Sequence, residues 1–474
     1  MNGKRETFGS RFAVIMAMAG SAIGLGNIWR FPYMTGQYGG AAFIIVYLFA
    51  SVFLSLPILL SETIIGRRTQ SGTFGAMQKL APGTNWKWMG LLTVISPMIL
   101  LSYYSVVGGW SIEYFCKALT FSFSPAITGG GGSGTSAISA AASSAGADNV
   151  LTMFGNFISE PAGPVICHSL FLALTALIVL GGVKKGIEKF STITMPILFV
   201  LIVVIMLYAL TLPGAEKGVE YMVRPDFSKL TPMAIASAVG QSFFSLSLGV
   251  GTMLTYASYI PKRDNLLTSG IGTAGFDLLF ALLAGFAVMP AVFSAGIAPA
   301  SGPGLVFETL PYIFVKMSAA SPWLSFIVAI LFFFTILVAA LTSSISMLEV
   351  GVAYLVEEKR LSRRKAVVVL FVFCWVLGTI CSLSFGPLSG FKIFGNTIFS
   401  FCDRLVSIFL MTFGGLLFTI FVGWKMKRAD VRDEFTSGGT QKFNVKCFNL
   451  VYFLIRYVAP VVIGVIFITN LITN

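Results

Sequence analysis

The most informative stretch of this 474-residue sequence runs Gly20-Ser-Ala-Ile-Gly24-Leu-Gly26-Asn27-Ile-Trp-Arg30-Phe-Pro32. It is apolar enough for a membrane helix, but glycines interrupt it and polar side chains lie within it. A later stretch has the same character and runs Gln241-Ser-Phe-Phe-Ser245-Leu-Ser247-Leu-Gly249-Val-Gly251. Glycines alone could reflect close helix packing. Packing does not explain the polar side chains, because burying them without partners is costly, so the pattern favours two broken helices.

The rest of the sequence is that of a membrane protein. Hydrophobic residues make up 56% of the chain, charged residues 11%, and the mean hydropathy is +0.87. A soluble protein of this size could not bury so much apolar surface. A spanning helix needs about 20 mostly apolar residues, and continuous apolar runs exclude a barrel, whose strands would alternate. Eleven segments are predicted to span the membrane: 11–36, 41–66, 89–118, 165–182, 190–212, 233–258, 266–296, 323–356, 365–386, 393–424 and 448–470.

The distribution of basic residues predicts the orientation of these helices. Short loops rich in Lys and Arg remain in the cytoplasm, and placing the N-terminus there leaves most of the 32 basic residues on the cytoplasmic side. We therefore expect a multi-pass protein of the inner (plasma) membrane with a cytoplasmic N-terminus and an extracytoplasmic C-terminus. The net charge of +13 reflects this topology and attraction to anionic membrane lipid, and it requires no nucleic-acid partner.

The two broken segments stand five helices apart, in corresponding positions of two halves. Paired interrupted helices are typical of transporters built from inverted repeats. The predicted fold is an all-α polytopic membrane protein, a single transmembrane transporter domain over residues 1–474 with unwound helices 1 and 6. The first repeat (helices 1–5) spans 11–212, the second (helices 6–10) spans 233–424, and an additional helix 11 spans 448–470.

Unwinding a membrane helix has specific chemical consequences. It exposes backbone carbonyls that can replace the water around a small cation, and it turns half-helix N-termini toward an anion. Thr342-Ser343-Ser344 in segment eight and Asp277 in segment seven supply further oxygen atoms. A hydroxyl triplet by itself is a weak signal, since such hydroxyls commonly bond back to a carbonyl one turn earlier.

Other chemistries find little support in the sequence. The six cysteines lie in or beside the helices without a CxxC pair and are interpreted as packing residues, and His168 as structural. The absence of a Walker loop excludes ATP as the energy source. No constellation of acid, base and nucleophile at membrane depth points to an enzyme. The composition of 121–150, rich in Gly, Ser and Ala, predicts a flexible outer loop.

Three motifs together identify a family. They are Gly24-Leu25-Gly26-Asn27-Ile28-Trp29-Arg30-Phe31-Pro32, Ser247-Leu248-Gly249 and Tyr256-Ala257-Ser258-Tyr259. The chain resembles the neurotransmitter:sodium symporter family, and in particular its short, eleven-helix bacterial amino-acid transporters related to the bacterial leucine transporter. The resemblance extends from Arg5 to the last helix. The twelfth helix of longer members is missing, but it lies outside the repeat core.

The resemblance implies two sodium sites and a substrate pocket. The first sodium site would be completed by the substrate carboxylate and would consist of Ala22, Asn27, Ser245 and Asp277. The second would consist of Gly20, Ile23, Ala339, Thr342 and Ser343. Tyr104 would hold the substrate carboxylate, in a pocket that also contains Ala22, Gly26, Leu100, Phe244, Ser245, Ser247, Val250, Ser343 and Met347.

Two gates are also implied by the resemblance. Arg30 and Asp403 would form the outer gate, with Phe244 as its lid. The inner gate would be a pair between Arg5 and Glu357, helped by Tyr259. Glu62 in segment two either matches a family carboxylate that braces the broken helix or is an ordinary acid facing the bundle.

The expected function is therefore sodium-coupled secondary active symport that imports a hydrophobic L-amino acid by alternating access. Gly24 stands where amine-transporting members have Asp, so the substrate must bring its own carboxylate. Val250 is smaller than the Phe of the leucine transporter, which predicts room for a bulky aliphatic or aromatic side chain. The alternative is a non-transporting amino-acid sensor or a sodium leak pathway on the same fold.

Chloride is not expected to be required. Asp277 stands where chloride-dependent members of the family usually have Asn, and Ala281 replaces a chloride-coordinating residue. The neighbourhood otherwise matches the family at Tyr47, Gln241 and Ser245. A fixed carboxylate beside the cations can provide the negative charge that chloride would supply.

Overall fold

The computed structural model describes residues 6–123, 144–296 and 306–473, and most of them are helical. We call the end of the helix bundle that holds Phe8 and Tyr259 the inner end, and the end that holds Arg30 and Asp403 the outer end. The helices are α1 Arg11–Ala22, α2 Gly26–Gln37, α3 Ala41–Thr69, α4 Thr73–Leu80, α5 Trp86–Leu119, α6 Ser144–Ser159, α7 Ala162–Leu180, α8 Val183–Leu210, α9 Ala215–Val223, α10 Pro232–Ser245, α11 Thr252–Ala257, α12 Leu266–Ser294, α13 Thr309–Ala320, α14 Pro322–Glu357, α15 Arg363–Leu383, α16 Ile398–Lys425, α17 Arg428–Thr436 and α18 Lys442–Thr469.

Nine of these helices, among the residues that the structure describes, are long and apolar enough to cross a membrane. A tenth span forms when α1 and α2, which meet at 54°, are taken together. The predicted sixth span is divided into α10 and α11, and neither half has the length of a spanning helix by itself. The polytopic all-α fold predicted from the sequence is confirmed.

Five shorter helices, α4, α6, α9, α13 and α17, were not predicted. A run of about 20 apolar residues indicates a membrane-spanning helix, and these helices are too short to contain one. The predicted flexible loop at 121–150 is wrong where α6 begins at Ser144, while 124–143 lies outside the described residues.

The predicted start of segment ten at 393 is also wrong. A short antiparallel hairpin, Lys392–Ile393 with Asn396–Thr397, precedes the helix. Its two-residue turn has positive φ at Phe394 (48°) and Gly395 (77°), the conformation that hairpin turns of this length prefer. The helix begins only after Thr397, whose side chain caps it by accepting a hydrogen bond from the Ser400 N–H.

Both predicted breaks are present, and each has a backbone cause. The first follows α1, where Ile23 is extended with ψ 109°. The second lies between α10 and α11, where Ser247, Gly249 and Gly251 have φ of 51°, 80° and 72°. Glycine adopts positive φ at little cost, so this conformation is favourable at Gly249 and Gly251. The breaks lie side by side, because Ser247 Oγ donates to the Ser21 carbonyl at 3.0 Å.

The second break is held by a carboxylate from another helix. Glu62 of α3 is fully buried, and its two carboxylate oxygens accept hydrogen bonds from the Gly249 N–H at 2.7 Å and the Leu254 N–H at 3.4 Å. Those amides have lost helical partners at the break, and an unsatisfied amide at membrane depth is costly. Nearby, α3 and α11 pack backbone to backbone, since a Cβ on Gly66 would overlap the Leu254 carbonyl.

Replacing Gly249 with Ala is expected to destabilise the protein. A Cβ there would overlap the Met411 carbonyl and lie 2.8 Å from the Gly415 nitrogen, and φ is 80°. Strain and overpacking should together cost about 2–4 kcal/mol, which a thermal unfolding curve in detergent would show as a lower midpoint. Gly275→Ala is the control, because a Cβ on Gly275 would have no neighbour within 4 Å. Equal midpoints for both variants would contradict this account of the break.

Candidate functional site

A buried cluster of oxygen atoms lies where the two breaks meet α12. Asn27 Nδ2 donates to Asp277 Oδ1 at 2.7 Å and to Ser245 Oγ at 3.0 Å. Ser245 Oγ lies 2.8 Å from both carboxylate oxygens of Asp277, and Tyr47 Oη donates to Ser245 at 3.2 Å. All four residues are at most 1% exposed. The structure thus brings together three of the four residues predicted for the first sodium site.

The cluster carries a net negative charge. In the described part of the chain, no Lys or Arg forms an ion pair with Asp277. A buried carboxylate without a cationic partner is costly, and a bound cation would offset that cost. Carboxylate, amide and hydroxyl oxygens are ligands suited to a hard cation such as sodium. The fourth predicted ligand, Ala22, is the last residue of α1 beside the first break.

A second group of oxygens joins the first break to α14. Thr342 Oγ1 lies 3.2 Å from the Ile23 carbonyl oxygen and 2.8 Å from that of Ala339, and Ser343 Oγ lies 3.3 Å from the Ile23 oxygen. Gly20 packs on Thr342, where a Cβ would lie 3.4 Å from the threonine Cβ. These are the five residues predicted for the second sodium site, brought together from two helices.

Within the Thr342-Ser343-Ser344 triplet, Ser344 has the ordinary role of a hydroxyl in a membrane helix, which is to bond back to a carbonyl about one turn earlier. Its Oγ donates to the Leu341 carbonyl at 2.9 Å and lies 2.8 Å from Thr175 Oγ1, away from the first break. Thr342 also bonds back to Ala339. Of the three, only Thr342 and Ser343 lie within hydrogen-bond distance of the buried Ile23 carbonyl oxygen, so Ser343 and Ser344 point in different directions although both carry a hydroxyl.

A narrow cavity lies between the two breaks, next to both oxygen groups. Its volume is about 10 Å³, so the surrounding side chains must separate to admit a molecule larger than water. Its lining is apolar apart from a few hydroxyls and consists of Ala22, Gly24, Gly26, Leu100, Tyr104, Phe244, Ser247, Ser343, Met347 and Met411.

Most residues of the predicted substrate pocket line this cavity, with two exceptions. Ser245 points instead into the Asp277 cluster. Val250 is fully buried outside the cavity lining, because the positive φ values of Gly249 and Gly251 redirect the chain around it. Met411 of α16, on which the second break packs, lines the cavity although it was not predicted. No sequence signal distinguished Met411, because its position at the cavity results from packing between segments that are distant in the sequence.

Gly24 faces the polar end of the cavity. A Cβ at this position would overlap Ser343 Oγ and lie 2.9 Å from Tyr104 Oη. The Tyr104 hydroxyl accepts a hydrogen bond from the Leu25 N–H at 3.2 Å, which fixes it beside the break. A larger residue at position 24 would therefore require Tyr104 or Ser343 to move.

The residues predicted for the outer gate surround a larger cavity. This cavity has a volume of about 390 Å³, and Arg30, Phe244 and Asp403 all line it. The Arg30 guanidinium lies 4.6 Å above the Phe244 ring, a cation–π contact. Among the described residues Arg30 and Asp403 form no ion pair, so the structure places the two side chains together without closing the gate.

At the inner end, Arg5 lies outside the described residues. Its predicted partner Glu357 accepts a hydrogen bond from the Gly72 N–H at 2.8 Å. Tyr259 donates to Glu349 Oε1 at 2.8 Å, and Arg363 pairs with the other oxygen of Glu349 at 2.5 Å. Sequence reasoning missed Glu349, although a glutamate inside the long apolar helix α14 is itself a signal.

Comparisons with known proteins are consistent along the whole chain. A sequence model described as the Sodium:neurotransmitter symporter family matches residues 5–128 and 147–474. An uncharacterized sodium-dependent transporter of Bacillus subtilis is 37% identical over 465 residues, covering 98% of this chain and 97% of the relative. Another, from Haemophilus influenzae, is 34% identical over 478 residues, covering 99% of each.

A solved structure is similar in fold and sequence. The crystal structure of MhsT in complex with L-phenylalanine superposes with a TM-score of 0.86 at 38% sequence identity, covering 98% of this chain and 100% of that one. A Drosophila melanogaster protein described as a sodium- and chloride-dependent GABA transporter is more distant, at 28% identity over 403 residues, 78% of this chain and 42% of the relative.

Proposed function

Because this chain belongs to the sodium:neurotransmitter symporter family and is thus a sodium-dependent transporter rather than an enzyme, we propose that it imports a hydrophobic L-amino acid by alternating access. The observation that carries the proposal is the cavity between the breaks, whose lining combines the hydroxyls of Tyr104, Ser247 and Ser343 with apolar side chains. The buried Asp277 cluster lies beside the same breaks. Import of a radiolabelled amino acid into proteoliposomes under an inward sodium gradient tests it.

Two sodium ions are proposed to bind, one at the Asp277 cluster and one between Ile23 and Thr342. The first group takes its oxygens from helix ends beside the two breaks and from α12, and the second from the Ile23 carbonyl and α14. A cation bound at either site would favour the arrangement in which the helices that supply its ligands stay in contact. Sodium would thereby be linked to the state that closes around substrate, which is the basis of coupling in a symporter.

The proposed substrate has both a carboxylate and an apolar side chain. Tyr104 and the backbone of the first break present hydrogen-bonding groups to a carboxylate, while Gly24 supplies none from a side chain. The apolar part of the lining includes Leu100, Met347 and Met411. Flexible methionines can adapt to bulky guests. The solved relative MhsT was crystallised with L-phenylalanine, which supports an aromatic or large aliphatic substrate.

Decarboxylated analogues are expected to compete poorly for this site. Tyramine and tryptamine keep the side chains of tyrosine and tryptophan but lack the carboxylate, which would leave sodium and Tyr104 without a partner. We expect their apparent affinities to be about tenfold or more weaker than those of the parent amino acids. Competition against one radiolabelled amino acid in a scintillation proximity assay measures this. Equal affinity of amine and amino acid would exclude a substrate carboxylate from the sodium site.

Transport is proposed to be independent of chloride, since Asp277 already provides a fixed negative charge beside the first sodium site. Replacing chloride with gluconate on both sides of the membrane should leave uptake unchanged. The Drosophila relative is described as chloride-dependent, but that description applies to the relative and not to this chain. A strict chloride requirement in this chain would contradict the proposal.

The alternative function is a sensor or a sodium leak on the same fold. A sensor would bind amino acid without accumulating it, and a leak would pass sodium without substrate. The proteoliposome experiment separates the three outcomes. The proposed location is the inner (plasma) membrane with the N-terminus cytoplasmic, because the basic loops then lie on the cytoplasmic side.

A further inference from the structure

A groove on the outside of the bundle lies between the C-terminal end of α7 and the N-terminal end of α8. Its volume is about 310 Å³, and it is separate from both cavities described above. Apolar side chains line one part of it, including Leu177, Phe190 and Ile193, and two lysines, Lys185 and Lys189, line the other. The groove is therefore amphipathic along its length.

Glycines give the groove its shape. The first residues of α8, Val183–Glu188, form a widened π-helical turn. Within it, a Cβ on Gly186 would overlap the Ile178 carbonyl and lie 3.3 Å from Gly181. The two helices thus meet backbone to backbone at this level, and their side chains diverge beyond it.

The apolar part of the groove faces outward. Leu177 is 64% exposed and Ile193 is 52% exposed. The span that contains Ile193 is among the least covered in the described structure, with 28% of its apolar window buried. In a protein that crosses a membrane, outward-facing apolar side chains of this kind contact lipid chains.

The two lysines of the groove form no ion pair with a carboxylate among the described residues. Lys185 and Lys189 are exposed and lie one helical turn apart. Two carboxylates of this region accept hydrogen bonds from backbone amides instead: Glu188 from the Gly9 N–H at 3.0 Å, and Glu6 from the Val183 N–H at 2.7 Å. Two positive charges thus lie beside the apolar part of the groove.

We propose that this groove binds an anionic phospholipid, with the phosphate between Lys185 and Lys189 and an acyl chain along Leu177 and Ile193. The lysines complement the charge of the headgroup, and the exposed apolar surface complements the chain. A free phosphate would satisfy only the lysines. The lipid-facing position of Leu177 and Ile193 favours the lipid as the source of the phosphate. The proposal does not depend on which amino acid is transported.

Native mass spectrometry of the full chain in detergent, titrated with one lipid at a time, tests the proposal. Phosphatidylglycerol should bind more tightly than phosphatidylcholine with the same acyl chains. In Lys185→Gln/Lys189→Gln, affinity for the first tight phosphatidylglycerol should fall roughly twenty-fivefold, about fivefold per lysine, while phosphatidylcholine binding stays unchanged. Lys185→Arg/Lys189→Arg should retain the preference.

Two controls make the outcome specific to the groove. Lys184→Gln removes a neighbouring charge that is also exposed but does not line the groove, so it should leave the preference intact. Ile193→Gln should weaken both lipids alike, because it alters the chain-binding part. An equal loss from Lys184→Gln and from the double variant would show diffuse attraction and overturn the site. Glycerol phosphate binding as tightly as phosphatidylglycerol would overturn the lipid in favour of a free phosphate.

Discussion

Uptake by the Asp277→Asn variant in chloride-free buffer is expected to fall by at least about a hundredfold. Asn27 and Ser245 converge on this carboxylate, which is 1% exposed. Removing one charge of a buried pair typically costs about 3–5 kcal/mol, and here the partner is the proposed first sodium ion. Half-saturating sodium should rise correspondingly. If chloride then restores part of the uptake, the anion is replacing the missing carboxylate.

The matched control for this variant is Asp226→Asn. Asp226 lies in an exposed loop, where its carboxylate accepts hydrogen bonds from the Ser228 N–H and hydroxyl, which lower its pKa. It has no contact with either break, so sodium affinity should not change. Wild-type uptake and sodium affinity in Asp277→Asn without chloride would show that the first sodium site lies elsewhere.

Concentrative uptake should be abolished in the double variant Thr342→Ala/Ser343→Ala. Both hydroxyls lie within 3.3 Å of the Ile23 carbonyl and are proposed ligands of the second sodium ion. Without them an ion there would have only carbonyl ligands, and the link between sodium and the contact of α1 with α14 would be lost. Measured in proteoliposomes, substrate should equilibrate at most and should not accumulate above the external concentration.

Ser344→Ala provides the control from the same triplet. It deletes a hydroxyl that bonds to Leu341 and Thr175 rather than to the first break. Any effect should appear as a small loss of stability of about 1 kcal/mol, with sodium dependence unchanged. Accumulation by the double variant at wild-type sodium affinity would contradict the second site.

Local sequence patterns were sufficient to predict the broken helices. Several glycines clustered with polar side chains in an apolar segment favour a break, so Gly24, Asn27, Gly249 and Gly251 could be identified without tertiary information. The oxygen groups of the proposed sodium sites could be predicted only through the resemblance to a family. Spacing along the chain does not reveal that Asn27 and Asp277 meet.

Features that depend on contacts between distant segments escaped prediction. Met411 reaches the cavity because α16 packs on the second break, and Val250 is turned away by positive φ on both sides. The link from Tyr259 through Glu349 to Arg363 joins three separate helical regions. Periodicity describes one helix at a time, so it reports which face is apolar and not which helix will cover it.

The anchoring of the second break to Glu62 limits how the molecule can move. The carboxylate holds Gly249 and Leu254, and Gly66, one turn further along α3, lies against the Leu254 carbonyl. Two attachments one helical turn apart restrict sliding and tilting of the second break and α11 against α3. α3 and α11 should therefore move as one rigid unit, with fewer degrees of freedom than two helices joined only by a loop. A rearrangement at the inner end must then either displace α3 and α11 together or leave both in place while other helices move around them.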